Sequence, residues 1–230
     1  MTEVKKNKKF KHYDTITIAF IVCFLTANLG ATKLWQVGSL ILPGGIFVFP
    51  MLYVLNDILT EVYGFTASRR VIWIALYSNL FLALVLYAVV FLPPSDHWEN
   101  QEAFVQIFSL APRIFIASIS SYFIGELLNA SVISSLKIML EGRNFALRAI
   151  LSTCVGAFIE TSIFASIAFG FKLSASHLLS MIFTLTSLKV LYELAALPLT
   201  VKVTNYLKKA EDMDSYEKPS WYGVMGWSKP

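Results

Sequence analysis

Residues 71–92 read VIWIALYSNLFLALVLYAVVFL, with no charged side chain and only Ser78 and Asn79 interrupting the apolar and aromatic run. A helix crosses the hydrocarbon core of a bilayer on about 20 predominantly apolar residues. The stretch therefore reads as a membrane span and, being so uniformly apolar, as scaffold. Working outward, comparable runs lie at 15–29 and 46–63 before it and at 112–138, 147–170 and 177–200 after it. Composition agrees: 56% of the 230 residues are hydrophobic and 15% charged, and the mean hydropathy is +0.62, beyond the usual balance of a soluble domain. The expected fold class is all-α, an integral membrane bundle of six transmembrane helices over residues 1–205 with a polar tail over 206–230, of which the stretch from Glu211 to Pro230 is expected to be loosely ordered with Trp221 and Trp227 at the membrane interface.

Basic residues orient this bundle. With the N-terminus inside, the cytoplasmic segments hold Lys5, Lys6, Lys8, Lys9, Lys11, Arg69, Arg70, Lys137, Arg143, Arg148, Lys202, Lys208, Lys209, Lys218 and Lys229, against only Lys33, Arg113 and Lys172 outside. That asymmetry predicts both termini in the cytoplasm of a multi-pass protein. The N-terminal lysines also resemble the n-region of a signal peptide, but the sequence after Phe24 lacks a small-residue cleavage pattern, so the first span is expected to stay. Between spans, the cluster Pro43-Gly44-Gly45 reads as an outer turn, Pro50 as a kink near the top of the second helix, and Gly64 as its left-handed cap.

Several function classes fall away. A net charge of +4 is spread as topology signals without a basic stripe, so no nucleic-acid partner is expected. Cys23 and Cys154 lie in apolar helices without ligand-like neighbours, which implies no disulfide and no metal site. No nucleophile elbow, zinc-protease, P-loop or dinucleotide motif occurs, so the chain is read as a non-enzyme without catalytic residues or cofactor.

Against this apolar background, Asp57, Glu61, Glu126, Glu160, Lys189 and Glu193 sit inside the spans. Each such charge costs roughly 2.5–3.5 kcal/mol at mid-helix on an insertion scale, so intramembrane ionisable groups point to function by default. Helical spacing gathers them into stripes: Tyr53, Asp57 and Glu61; Tyr122, Glu126 and Asn129; Thr153, Gly156 and Glu160; Lys189, Tyr192 and Glu193. Because lipid cannot solvate such stripes, they are expected to face one another near the midplane. Residues 53–60 and 122–129 also share a pattern of Tyr, two apolar residues, a small or amide residue, an acid, two aliphatics and a polar residue, as a weak parallel repeat would. The competing reading is that the charges merely pair, Lys189 with Glu193 along its helix and with Glu160 or Glu126 across helices. One lysine cannot balance five acids, so some carboxyls must be protonated, hydrated or ready for a donor-bearing ligand. For Glu61 and Glu193 simple pairing is the favoured expectation.

The motifs then resemble a known family. Phe49-Pro50, the run from Asp57 through Gly64, Arg69-Arg70, the segment from Ser118 to Tyr122, Gly125 through Asn129, Arg143, Arg148 with Ser152-Thr153, the segment from Ile167 to Gly170, and Lys189 together look like the queuosine precursor transporters, also grouped with vitamin uptake transporters. Departures lie at Glu160, where family members usually carry Asp, and at Ala157-Phe158, which replaces a more polar pair. The resemblance implies a transporter in the cell inner membrane importing a 7-deazaguanine base, such as 7-cyano-7-deazaguanine, 7-aminomethyl-7-deazaguanine or queuine, for tRNA modification. The expected substrate site comprises Glu126 and Glu160 on the base, Asn129 and Lys189 orienting it, Asp57 completing or coupling the site, and Phe49, Tyr53, Tyr122 and Phe164 stacking on the ring. Beside the bilayer and the small molecule, the resemblance leaves room for a homo-oligomer, or for an energising complex to which this chain would be the substrate-binding subunit.

Overall fold

The computed structural model describes residues 10–37, 40–108, 112–170 and 174–219. Lys5, Lys6, Lys8, Lys9, Lys172, Trp221, Trp227 and Lys229 lie outside them. Six long helices appear in chain order: α1 (Tyr13–Gly30), α2 (Phe49–Tyr63), α3 (Phe65–Val90), α5 (Pro112–Met139), α6 (Phe145–Phe169) and α7 (Ala175–Glu211), with a short α4 (Gln101–Phe108) between α3 and α5. Four are long and apolar enough to cross a membrane, α1, α3, α6 and α7, so the chain is an all-α membrane protein. Of the other two, α2 has only 15 residues, and α5 dilutes its apolar run with Ser120, Ser121, Glu126, Asn129 and Lys137. At about 1.5 Å per residue the 37 residues of α7 outrun the hydrocarbon core.

Local chemistry departs from expectation in two places. Instead of a plain turn, the first connection contains an antiparallel hairpin, β1 (Leu34–Val37) and β2 (Leu40–Pro43), with Leu34 opposite Pro43 and Val37 opposite Leu40. Trp, Val and Ile on both sides of a two-residue gap favour pairing over an irregular loop. Nor does Pro50 kink α2; it occupies the first helical turn, where its missing N–H costs nothing. Gly64 does take a positive φ of 92°, but with ψ 169°, an extended region open essentially to glycine alone. It lets α3 begin one residue after α2 ends.

Packing is inverted relative to a soluble protein. Large apolar side chains point outward, among them Ile18 and Val22 on α1, Phe81 and Leu84 on α3, and Phe183 and Leu199 on α7. Inward lie Asn56, Asp57, Thr60, Glu61, Glu126, Asn129, Arg148, Glu160 and Glu193, all buried. An apolar cluster that includes Phe20, Phe24, Leu59, Val62, Ile72 and Tyr122 fills the space between α1, α2, α3 and α5.

The most extensive helix contact joins α5 to α6. A Cβ on Gly125 would come within 2.6 Å of the Glu160 Cβ, and one on Gly156 within 2.9 Å of the Asn129 Cβ. Small residues that let backbones approach are a standard device of membrane helix packing. Here they set Glu160 and Asn129 against one another's helices.

At the end of the bundle that carries Gly64, Glu61 is a hub. Arg148 from α6 grips it with both guanidinium nitrogens, one at 3.0 Å; Lys208 from α7 reaches Oε1 at 2.5 Å, and Lys137 from α5 reaches Oε1 at 3.4 Å and the backbone oxygen at 2.6 Å. Arg148 and Lys137, expected as loop charges that set orientation, are in fact buried at 0% and 2% exposure. The segment after α7, expected to be loose, is bound to the same hub. Asp214 pairs with Lys137 and, at 2.9 Å, with Lys208. The Ser215 amide donates to the Val62 carbonyl at 3.3 Å, and Glu217 accepts from the Thr66 amide at 2.8 Å. Glu211 accepts from the backbone amides of Lys11 and His12 at 3.0 and 2.7 Å, ahead of α1, so the start of α1 and the end of α7 share one end of the bundle.

Three outcomes follow from this packing. Gly125→Val should overpack the α5–α6 contact at about 1–3 kcal/mol, seen as a lower Tm in detergent; an unchanged Tm would contradict the close approach. Arg148→Ala should cost toward the lower end of the about 3–5 kcal/mol typical of a broken buried pair, because Lys137 and Lys208 remain, and Arg148→Lys should restore it only in part since the two-pronged grip is lost. Burial works to raise the Asp214 carboxyl, but hydrogen bonds from Lys137 and Lys208 outweigh it and hold it below its ordinary value. The tail contact is therefore fully present above about pH 3.9 and is lost as pH falls through the lowered value. Hydrogen exchange at the Ser215 amide should stay protected at neutral pH and open in acid, while Asp214→Asn opens it at neutral pH as well.

Candidate functional site

One to two turns along α2 from the Glu61 hub, four helices bring their remaining polar groups together. Glu160 of α6 accepts from the Tyr53 hydroxyl of α2 and pairs with Lys189 of α7 at 2.7 Å. Lys189 also lies 3.4 Å from the Tyr53 hydroxyl, and its ammonium sits 5.3 Å from the centroid of the Phe49 ring and 5.5 Å from that of Tyr53. A cation placed over ring faces in this way is held by their quadrupoles. The Tyr53–Glu160–Lys189 trio is thus cross-linked from three helices.

Beside it, Asn56 of α2 donates to both the backbone oxygen and the carboxylate of Glu126 on α5, and Ser68 of α3 donates to the Asn56 carbonyl oxygen. Asn129, one turn along α5, donates to Asp57 Oδ1 at 2.7 Å. The two similar segments, 53–60 and 122–129, therefore pack against each other, the amide of each meeting the acid of the other. Several buried acceptors in this cluster find no protein donor: Asp57 Oδ2, Glu126 Oε1, Asn129 Oδ1 and both oxygens of Glu193. Unpaired buried acceptors are costly and call for an explanation.

The expected site residues are distributed as follows. Tyr53, Asp57, Glu126, Asn129, Glu160 and Lys189 converge through the bonds just described. Phe49 flanks Lys189. Phe164 is half-buried one turn beyond Glu160 on α6. Tyr122 is fully buried with its ring stacked on Phe24, centroids 3.8 Å apart, so one of its faces is already covered. Lys189 turns to Glu160 rather than to Glu193 on its own helix, and Glu61 is neutralised as expected for simple pairing. Sequence reasoning passed over Asn56, which holds Glu126; the signal was its place beside Asp57, matching Gly125 beside Glu126 in the similar segment. It also missed the side chains that meet Glu61, because Lys137, Arg148 and Lys208 lie near helix ends and read as loop charges.

Asp57, Glu126, Asn129 and Glu193 are all at or below 1% exposure, so this part of the cluster is closed off in this conformation, while Lys189 keeps 18% of its side chain exposed. The groove lined by Ser135, Ile138, Lys218 and Pro219 lies at the tail end, apart from these acids.

The chain is 28% identical over 144 residues to a probable queuosine precursor transporter of Bacillus subtilis (strain 168), covering 62% of this chain and 63% of the relative. It is 25% identical over 154 residues to a probable queuosine precursor transporter of Haemophilus influenzae (strain ATCC 51907 / DSM 11121 / KW20 / Rd), covering 67% and 62%. To the queuosine precursor transporter of Escherichia coli (strain K12) it is 26% identical over 125 residues, covering 54% of each. The matched stretches span less than two thirds of each relative. No solved structure matches the chain. Residues 43–203, which run from the end of β2 to near the end of α7, match the family described as putative vitamin uptake transporters. This is a family of transporters and not of enzymes, in line with the missing catalytic motifs. The chain belongs to the family of putative vitamin uptake transporters.

Proposed function

We propose that this chain is a multi-pass transporter of the cell inner membrane that imports a queuosine precursor, a 7-deazaguanine base, and holds it among Glu126, Glu160, Asn129 and Lys189. In this reading all six long helices cross the membrane, residues 1–205 form the transporter domain, and both termini, with the tail 206–230, lie in the cytoplasm. The shared end of α1 and α7 supports an even number of crossings. The closed cluster is then an occluded state, and exchange between the two sides requires helices to part around it.

The observation that carries the reading is an imbalance of hydrogen-bonding groups. In the part of the cluster assigned to the base, the unpartnered carboxyl and amide atoms are acceptors, on Asp57, Glu126 and Asn129, with the Tyr122 hydroxyl beside them, and such a site suits a ligand rich in donors. A 7-deazaguanine offers N1–H and an exocyclic amine side by side, which one carboxylate accepts together as charge-assisted bonds; Glu126 or Glu160 would take this pair. Its O6 needs a donor, supplied by Lys189 or the Asn129 amide. The flat ring would stack on Phe49, Tyr53, Phe164 or the free face of Tyr122, worth about 1–3 kcal/mol per face by analogy with base stacking. Asp57, bound to Asn129, completes the site or couples it to opening. The names of the relatives support this class of substrate.

Glu126→Gln or Glu160→Gln replaces a charged acceptor with an amide, at a cost of about 1.5–3 kcal/mol for hydrogen bonds to a charged group. Binding of the nitrile base, the aminomethyl base or queuine to purified protein should weaken about ten- to a hundredfold, with thermal stability of the unliganded protein retained. Wild-type affinity in both variants would remove these acids from the site.

A further inference from the structure

Glu193 is not used by the base site and is the least satisfied charged group in the bundle interior. It is 1% exposed, and neither of its carboxyl oxygens has a protein partner. The lysine one turn away, Lys189, is committed to Glu160. Across the α2–α7 contact stands Asp57, fully buried, with Oδ1 bonded to Asn129 at 2.7 Å and Oδ2 unpartnered. The acids that act on Asp57 are Glu193 from α7, Glu126 from α5 and Glu61 along α2. From α5 Asn129 donates to Asp57, and on α6 Glu160 is held by Lys189. The cations Lys137, Arg148 and Lys208 are all engaged by Glu61 at the end of the bundle.

We propose that Asp57 and Glu193 form a carboxyl pair that carries one proton across the membrane with each base, so that transport is driven by a proton gradient. The inference rests on the substrate reading above. Two buried carboxyls on packed helices, neither of them paired with a cation, resist ionising together in a dry site, and such pairs hold a shared proton. Releasing that proton requires water, which reaches the pair only when the bundle opens. Proton binding on one side and release on the other are thereby tied to the conformational cycle. Asn129 links the two events: its amide nitrogen donates to Asp57, while its oxygen is unpartnered and available to a donor on the base. When the base leaves, the hold on Asp57 changes together with the water around it. In each cycle the pair takes up a proton from one side and gives it up to the other, and no covalent bond to the base is made.

The test uses the full chain in proteoliposomes with the membrane potential clamped, labelled 7-aminomethyl-7-deazaguanine outside and a pH-sensitive dye inside. With acid outside by one pH unit, the wild type should accumulate the base up to about tenfold for one proton per base, and the lumen should acidify as the base enters. Glu193→Gln should still bind and exchange base across the membrane, yet accumulate none and carry no proton; Glu193→Asp, which keeps a carboxyl, should regain accumulation. Wild-type accumulation indifferent to the gradient, or an undiminished gradient response in Glu193→Gln, would overturn the proton pair alone. Should the wild type neither bind nor exchange the base, the substrate reading falls and this inference with it. If Glu193→Gln fails to fold, a wild type that carries no proton still overturns the proposal, and Glu193→Asp, expected to shift the pH dependence of accumulation, overturns it if that dependence is unchanged.

Discussion

The bundle depends on one buried carboxylate being thoroughly neutralised. Glu61 is met by Arg148 from α6, Lys137 from α5 and Lys208 from α7, so a single side chain on α2 ties together four helices. A buried ion pair is weak evidence for stability when its partners could be replaced by apolar groups, yet removing one partner leaves a stranded charge. That asymmetry gives register: the helices must bring these groups to one level or bear an uncompensated charge away from water. The tail enters the same network through Asp214, and Glu211 binds the start of α1. One end of the bundle is therefore closed by electrostatics together with the aromatic packing of Phe10, Tyr13 and Tyr63.

Once that end is set, the cluster around Glu160 follows from helical geometry. Asp57 lies one turn and Tyr53 two turns along α2 from Glu61, and they meet Asn129 and Glu160. Gly125 and Gly156 admit the close α5–α6 contact that brings Glu160 toward Glu126. The two halves of the cluster differ in balance. Around Glu160 a lysine and a tyrosine satisfy the acid; around Asp57 and Glu193 only an amide is at hand.

Much of this was legible in the chain. Apolar runs of span length located the long helices to within a few residues at most ends, since the hydrocarbon thickness sets their length whatever they pack against; α3, however, begins at Phe65 and not Val71, and α7 continues to Glu211 beyond the run that closes at Thr200. Charges within those runs stood out for the same reason, and helical spacing put Tyr53, Asp57 and Glu61 on one face. Less legible were the contributions of residues near helix ends. Arg148 and Lys208 carry the same charge whether they lie in water or grip a buried acid, and no periodicity separates the two. The hairpin at Leu34–Val37 was hidden beneath a turn-rich neighbourhood, and the segment from Asp212 to Pro219 is polar and reads as loose because its partners lie on α2, α3 and α5.

By itself, then, the sequence determined the class of the protein and the level of each acid along its helix, because these depend on composition and on a helical repeat that is local. Which lysine or arginine meets which carboxylate was decided only by the tertiary structure. Lys189 chooses Glu160 over Glu193, and Arg148 chooses Glu61, because pairing across helices depends on how closely backbones approach, and that is governed by small residues and side-chain reach from elements far apart in the chain.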